Sequence, residues 1–245
     1  MDRWKFFDIT HRDHVVCNPL SVEKVDELVR LLDLPAGARV LDIACGKAEI
    51  LVRISERYEC AGIGVDISPY AASDARDRAG LRVPGELEIV EQDGAEFKAE
   101  PASFDLAMCV GASWTFGGYP GTLGALVRWV RPGGLVLVGE PFWKKDPASE
   151  YVEATGMERS LFRDHKGNVS AGLEQGLTLL YTVASSEDDW DRYHGLTWRA
   201  GERWAAANPG DPDREAVLAR LRTARDHYLR WERDLFGWAL YLFSK

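Results

Sequence analysis

Cysteine is scarce in this sequence. Its four cysteines, Cys17, Cys45, Cys60 and Cys109, are scattered over 245 residues, with no Cys-x-x-Cys pair and no histidine at ligand spacing. That pattern excludes a disulfide scaffold and a metal site, and it fits a reducing, cytoplasmic setting. No apolar run approaches the roughly 20 residues that a membrane helix needs. The opening Met1-Asp2-Arg3-Trp4-Lys5 also lacks the apolar stretch of a secretion signal, so no membrane partner is expected. Dense runs of Lys and Arg are missing. The 30 basic residues face 39 acidic ones, and the formal charge of −9 repels phosphate backbones, which argues against a nucleic-acid partner. Repeats and low-complexity segments are absent as well.

What is present is ordinary globular composition, 46% apolar and 28% charged. The length fits one domain with an elaboration, residues 1–245, better than two full domains. Tryptophan is unevenly spread: of nine, only Trp4 precedes Trp114. Residues 1–17 read as irregular. Asn18-Pro19 reads as a helix start, with Asn as N-cap and Pro at the first helical position, and Val25, Leu28, Val29 and Leu32 carry the helix to about Leu34.

From Arg39 onward short apolar runs alternate with helical stretches. Strands are expected at 39–44, 61–66, 87–92, 104–110 and 135–140, and helices at 48–58, 69–79 and 122–130. Such alternation means a parallel sheet with helices on both faces. Two further strands are expected at 177–184 and 236–243. The roughly 50 residues between them are helical in pattern and rich in Trp, Arg and Asp, and Asn208-Pro209-Gly210-Asp211-Pro212 divides them into two helices.

Chemistry concentrates at the strand ends. Val40-Leu41-Asp42-Ile43-Ala44-Cys45-Gly46-Lys47-Ala48-Glu49 is a strand, a tight turn of small residues and a helix start. A turn of this kind lets a ligand approach the backbone and free N–H groups. Asp66 ends the next strand in Gly62-Ile63-Gly64-Val65-Asp66, where a carboxylate can accept hydrogen bonds from ribose hydroxyls or merely cap the following helix. Asp93, in Glu91-Gln92-Asp93-Gly94-Ala95, is either an acceptor for an adenine amino group or an ordinary turn residue.

Together with Phe104-Asp105-Leu106-Ala107-Met108-Cys109-Val110-Gly111-Ala112-Ser113-Trp114 and Arg131-Pro132-Gly133-Gly134-Leu135, these elements resemble the class I S-adenosylmethionine-dependent methyltransferases. Gly139-Glu140-Pro141-Phe142-Trp143, Trp190-Asp191-Arg192-Tyr193 and Leu235-Phe236-Gly237-Trp238 resemble a bacterial small-molecule subgroup of that family. The resemblance implies an α/β, Rossmann-like sheet of seven strands, six parallel and the last antiparallel. Segment 1–34 would cover the site. A plain sheet of the family joins the last two strands by a short hairpin, so the long connection here is expected to add a helical cap at 186–234 over the carboxyl edge. The resemblance implies S-adenosylmethionine as cofactor, with the loop from Ala44 through Gly46 to Ala48 beneath its methionine part and Asp42 at the strand end. Asp66 would take the ribose, Ile67 the adenine face, and Asp93 and Gly94 the adenine edge. Cys109 and Val110 would line the floor. The family's Asp-x-Gly-x-Gly-x-Gly reads here Asp42, Ala44, Gly46, Ala48. Two alanines thus replace glycine, at a cost on the order of 1 kcal/mol each if their φ is positive.

On the acceptor side, Glu140 at a strand end and His14 in the covering segment are candidate bases, each also readable as a capping or surface residue. Ser113, Trp114, Trp143, Arg192, Tyr193 and Trp198 are candidate substrate contacts. Arg192 would meet an anionic group, or else a neighbouring Asp188 or Asp189. The expected reaction is in-line methyl transfer to a small-molecule acceptor. Two other readings stay open: a non-catalytic S-adenosylmethionine-binding module, and a nicotinamide-dependent oxidoreductase, which would want Gly-x-Gly-x-x-Gly where only Gly46 stands.

Overall fold

A computed structural model describes all residues, 1–245. The strands are β1 (Arg39–Ile43), β2 (Ala61–Asp66), β3 (Leu87–Glu91), β4 (Phe104–Val110), β5 (Val130–Trp143), β6 (Thr178–Ala184) and β7 (Phe236–Ser244). They form one seven-stranded sheet in the order β3-β2-β1-β4-β5-β7-β6. β1 to β5 pair in parallel, and β7 runs antiparallel to both of its neighbours, β5 and β6. Six strands therefore share one direction and the last opposes them.

Side chains alternate across each strand, which divides the core in two. On one face Val40, Leu106, Met108, Leu137 and Leu240 pack with α2 (Val22–Leu31), α3 (Glu49–Tyr58) and α4 (Pro69–Arg82). On the other, Leu41, Ile43, Ala107, Val138 and Tyr241 pack with α5 (Tyr119–Trp129) and, past the short α6 (Ser149–Thr155), with α7 (His165–Glu174). Two helices follow β6: α8 (Glu187–Ala207), opened by a reciprocal Ser186–Asp189 capping box, and α9 (Arg214–His227). A π-helical turn at Tyr228–Glu232 leads on toward β7.

Three sequence expectations need correction. The first residues are helical: α1 spans Arg3–His11, and the Asp2 carboxylate accepts hydrogen bonds from the N–H groups of Trp4 and Lys5, both at 3.1 Å. The helix before β1 starts later than Asn18-Pro19, because Ser21 is its N-cap, accepting from the Lys24 N–H at 3.3 Å. Strand β5 begins before Pro132-Gly133-Gly134. Those residues form a bulge inside it: Phe104 pairs with Val130 but Leu106 with Leu135, and Gly133 takes φ +75°.

Candidate functional site

The parallel strands all present their carboxyl ends at one edge. A cavity of about 370 Å³ opens there, floored by the loops after β1, β2 and β4 and walled by α1 and α8. Asp42, Ala44, Cys45, Gly46, Asp66, Ile67, Val110 and Trp114 line it.

The loop after β1 is bent by a repeated left-handed backbone. Ala44, Gly46 and Ala48 have φ of +57°, +55° and +56°. Both alanines carry the strain that the family's glycines avoid, about 1–2 kcal/mol each. Around Gly46 no atom lies within 4 Å of where a Cβ would sit, so the loop leaves room above itself. The Asp66 carboxylate secures this shape. One oxygen accepts from the Gly46 N–H and the other from the Ser68 N–H, each at 2.8 Å. Ser68, not Asp66, caps α4. Burial raises the Asp66 carboxyl above the usual range, against the two N–H donors. Asp42 is only 4% exposed and its Oδ1 has no hydrogen-bond partner within the protein. Burial, with the Asp66 charge second, holds its carboxyl well above the usual range. A buried, unpaired acceptor beside a left-handed loop calls for a ligand donor.

At the other end, Val110 and Pro141 close the ends of β4 and β5 beneath three aromatic rings, Trp190 and Tyr193 from α8 and Trp238 from β7. Gly111 is required here. Its φ is +79°, and a Cβ would lie 2.3 Å from Asn18 Nδ2. At the mouth, the Arg3 guanidinium lies 4.7 Å from the ring centroids of both Trp4 and Trp114.

Several expected site residues are held elsewhere. Asp93 spends an oxygen capping a single 3₁₀ turn, accepting from the Ala95 N–H at 2.9 Å, and Gly94 is packed against Ile43; neither lines the cavity. The Cys109 side chain points into the core on the α5 face, although Val110 beside it reaches the cavity. Glu140 faces the same core: its side chain accepts from the Ser113 hydroxyl at 2.9 Å, so both residues brace the loop after β4 instead of facing a ligand. Burial raises the Glu140 carboxyl to about 7, against that hydrogen bond.

His14 stands behind the wall, donating from Nε2 to the Tyr193 carbonyl at 2.9 Å. Trp143 is 9% exposed and stacks on Phe236 at 4.5 Å, with Nε1 donating to the Arg159 carbonyl. Trp198 packs against Tyr228, 5.9 Å between centroids. Arg192 is exposed and off the cavity, and Asp189 is paired with Lys24 at 2.6 Å. Of the acceptor-side candidates, Trp114 and Tyr193 line the cavity.

One group of lining residues that the sequence did not mark as a site lies on α1. Arg3, Trp4, Phe7, Asp8 and His11 line the cavity at helical spacing. The signal was present, but this face mixes charge with aromatic surface while Phe6 and Ile9 bury the opposite one, so no simple apolar stripe marks the helix.

A family model for a methyltransferase domain matches residues 40–134. YjhP of Escherichia coli (strain K12) is 34% identical over 244 residues, 98% of each chain. A crystal structure of an S-adenosylmethionine-dependent methyltransferase from Geobacter sulfurreducens, in complex with S-adenosyl-L-homocysteine, has a TM-score of 0.91 at 30% identity, covering 98% of this chain and 97% of that one. One from Thiobacillus denitrificans, with the same ligand, has a TM-score of 0.90 at 33% identity, covering 99% of both. The sheet order, the acidic strand ends and these similarities agree: the chain belongs to the S-adenosylmethionine-dependent methyltransferases. No helix is long and apolar enough to cross a membrane.

Proposed function

We propose that this methyltransferase acts on a small molecule by in-line displacement. The observation that carries the reading is the enclosure of the cavity. α1 and α8 wall the space above the sheet edge, and the whole of it measures about 370 Å³. A space of this size between two helices suits a small acceptor better than a polymer chain.

The residues present fit the cofactor. Asp42 offers an unpaired buried oxygen, the loop at Ala44–Ala48 an open backbone, and Asp66 a carboxylate with lone pairs beyond those given to Gly46 and Ser68. Ile67 and Tyr70 supply flat and apolar surface beside Asp66. When bound, S-adenosylmethionine supplies a methyl group activated on a positively charged sulfur. The protein's task is then to align the acceptor and exclude water. Carboxylates outnumber cations along the wall, which suits a ligand bearing positive charge. The aromatic end supplies the dry surface.

With isotopically labelled methyl on S-adenosylmethionine and a cell extract freed of macromolecules, we expect label in a small-molecule product with matching release of S-adenosylhomocysteine. Label accepted only by added protein or nucleic acid would overturn the reading. Asp66→Asn is expected to weaken cofactor binding about 5- to 150-fold, the equivalent of about 1–3 kcal/mol for a lost charged acceptor. Calorimetric titration checks this.

A further inference from the structure

The aromatic end of the cavity contains a hydrogen-bonded pair drawn from opposite parts of the chain. The Tyr193 hydroxyl on α8 lies 2.8 Å from Nε2 of His11 on α1, and both residues line the cavity. The rest of the network decides which atom carries each proton. His11 Nδ1 is 3.1 Å from the Phe7 carbonyl, which can only accept, so Nδ1 bears the hydrogen. Thr10 Oγ1, at 3.2 Å, already donates to the Phe6 carbonyl and is free to accept from the same Nδ1. Nε2 of the neutral ring is therefore an acceptor, and the Tyr193 hydroxyl must donate to it. The phenol's only hydrogen is committed. What Tyr193 has left to offer the cavity is lone pairs.

Its hydroxyl is hydrogen-bonded to no charged group, and Lys47, a cation of the cavity wall, acts on the neighbouring His11 and Cys17. Apart from burial, which pushes the phenol up, the Cys17 thiol is the one group that bears on it. Burial, with His14 second, lowers His11 to about 3, so the ring is neutral at physiological pH. The other rings around Tyr193 are the imidazoles of His14 and His194, with centroids at 4.9 and 5.3 Å, and the Trp190 indole, edge-on at 6.4 Å. The Trp238 ring lies over the end of β5, where a Cβ on Gly139 would come within 2.6 Å of it.

We infer that this end of the cavity recognises a small uncharged acceptor whose nucleophilic atom carries a hydrogen, and that Tyr193 reads that hydrogen as a pure hydrogen-bond acceptor. The inference rests on the methyl-transfer reading and narrows its substrate class to neutral hydroxyl, thiol or amine groups on an apolar body. His11 is a positioning residue that fixes the direction of the Tyr193 proton. The same geometry disfavours retention of product, because a hydroxyl or thiol that has taken the methyl group and released its proton to solvent has no hydrogen left to donate.

The test uses full-length protein saturated with S-adenosylhomocysteine and four probes of similar size: phenol, its methyl ether anisole, benzoate and benzylammonium. Calorimetry is expected to show phenol binding about fivefold more tightly than each of the others, the worth of one net hydrogen bond. Tyr193→Phe keeps the ring and should bring phenol down to the level of anisole, with affinity for S-adenosylhomocysteine within about twofold of wild type. His11→Phe frees the Tyr193 proton to point at the ligand and should shrink the phenol-to-anisole ratio while phenol still binds. Phenol binding no better than anisole, or not at all, overturns the inference. So does a Tyr193→Phe protein that loses its affinity for S-adenosylhomocysteine, since Tyr193 would then serve the cofactor. Failure of the underlying reading looks different: the wild-type protein would not take up S-adenosylhomocysteine in the first place.

Discussion

Two carboxylates at this sheet edge serve the protein where their positions in the chain suggest a ligand. Asp66 was expected to serve a ligand, yet it first serves the protein, holding Gly46 and Ser68 together through both oxygens. Asp66→Ala should therefore lower stability by about 1–3 kcal/mol as two N–H groups lose their acceptor, beyond any effect on cofactor binding. Glu140 was expected to meet the acceptor, yet it is sealed in the α5-side core with Ser113, at 3% exposure. A carboxyl raised to about 7 from the usual 4.5 binds a proton more tightly in the folded state than in the unfolded one. Its stabilising contribution is complete below about pH 4.5 and is lost as pH rises toward 7. Glu140→Gln imitates the protonated form. Denaturant titrations should find it close to wild type near pH 4 and more stable at pH 8, by on the order of 3 kcal/mol. Equal stability of the two proteins at pH 8 would show that Glu140 is solvated.

Among the elements, α1 is the one whose removal would open the site. It is held on three sides. Phe6 and Ile9 pack with Val217 of α9, Lys5 reaches Asp211 and Asp213 at 3.0 and 2.8 Å, and Arg3 lies over Trp114. The cluster around Phe6 is small and separate from the two sheet cores, so α1 can detach without unfolding the sheet. Phe6→Ala removes its buried ring, a loss of about 3–5 kcal/mol in packing. Hydrogen exchange at residues 3–11 should accelerate while the strand amides stay protected. Affinity for S-adenosylhomocysteine should fall about tenfold as closure becomes less favourable. If exchange in α1 is unchanged, the helix is held by its polar contacts alone.

For the molecule as a whole, the chain order and the sheet order diverge at the end. β7 is last in sequence, but it lies between β5 and β6, and eight of its nine residues are buried. Of the cavity-lining residues, Trp238 is the one that β7 supplies. A chain ending at residue 235 would keep the other cavity residues and still expose the apolar flank of β5, with β6 left unpaired. Circular dichroism should find it without a cooperative melting transition, although residues 1–143 contain all the cofactor loops. A soluble, cooperatively folding truncation would mean that the first five strands form an independent unit.

The alternation of strands and helices, the acidic strand ends and the turn after β1 were legible in the amino-acid sequence, because each depends on neighbours only a few residues away. Local pattern could not report that Ala44 and Ala48 would accept positive φ, since that strain is borne by packing and by the Asp66 clamp twenty residues downstream. Nor could it say which side of a strand end faces the ligand: Cys109 and Glu140 point into the core, while Val110 and Pro141 line the cavity. The acceptor end depends most on tertiary structure. Tyr193 and His11 are separated by 182 residues, and their hydrogen bond exists because α1 and α8 dock against each other over the same sheet edge. A phenol's hydrogen has a direction only when its partner is in place, and that partner is supplied by the fold.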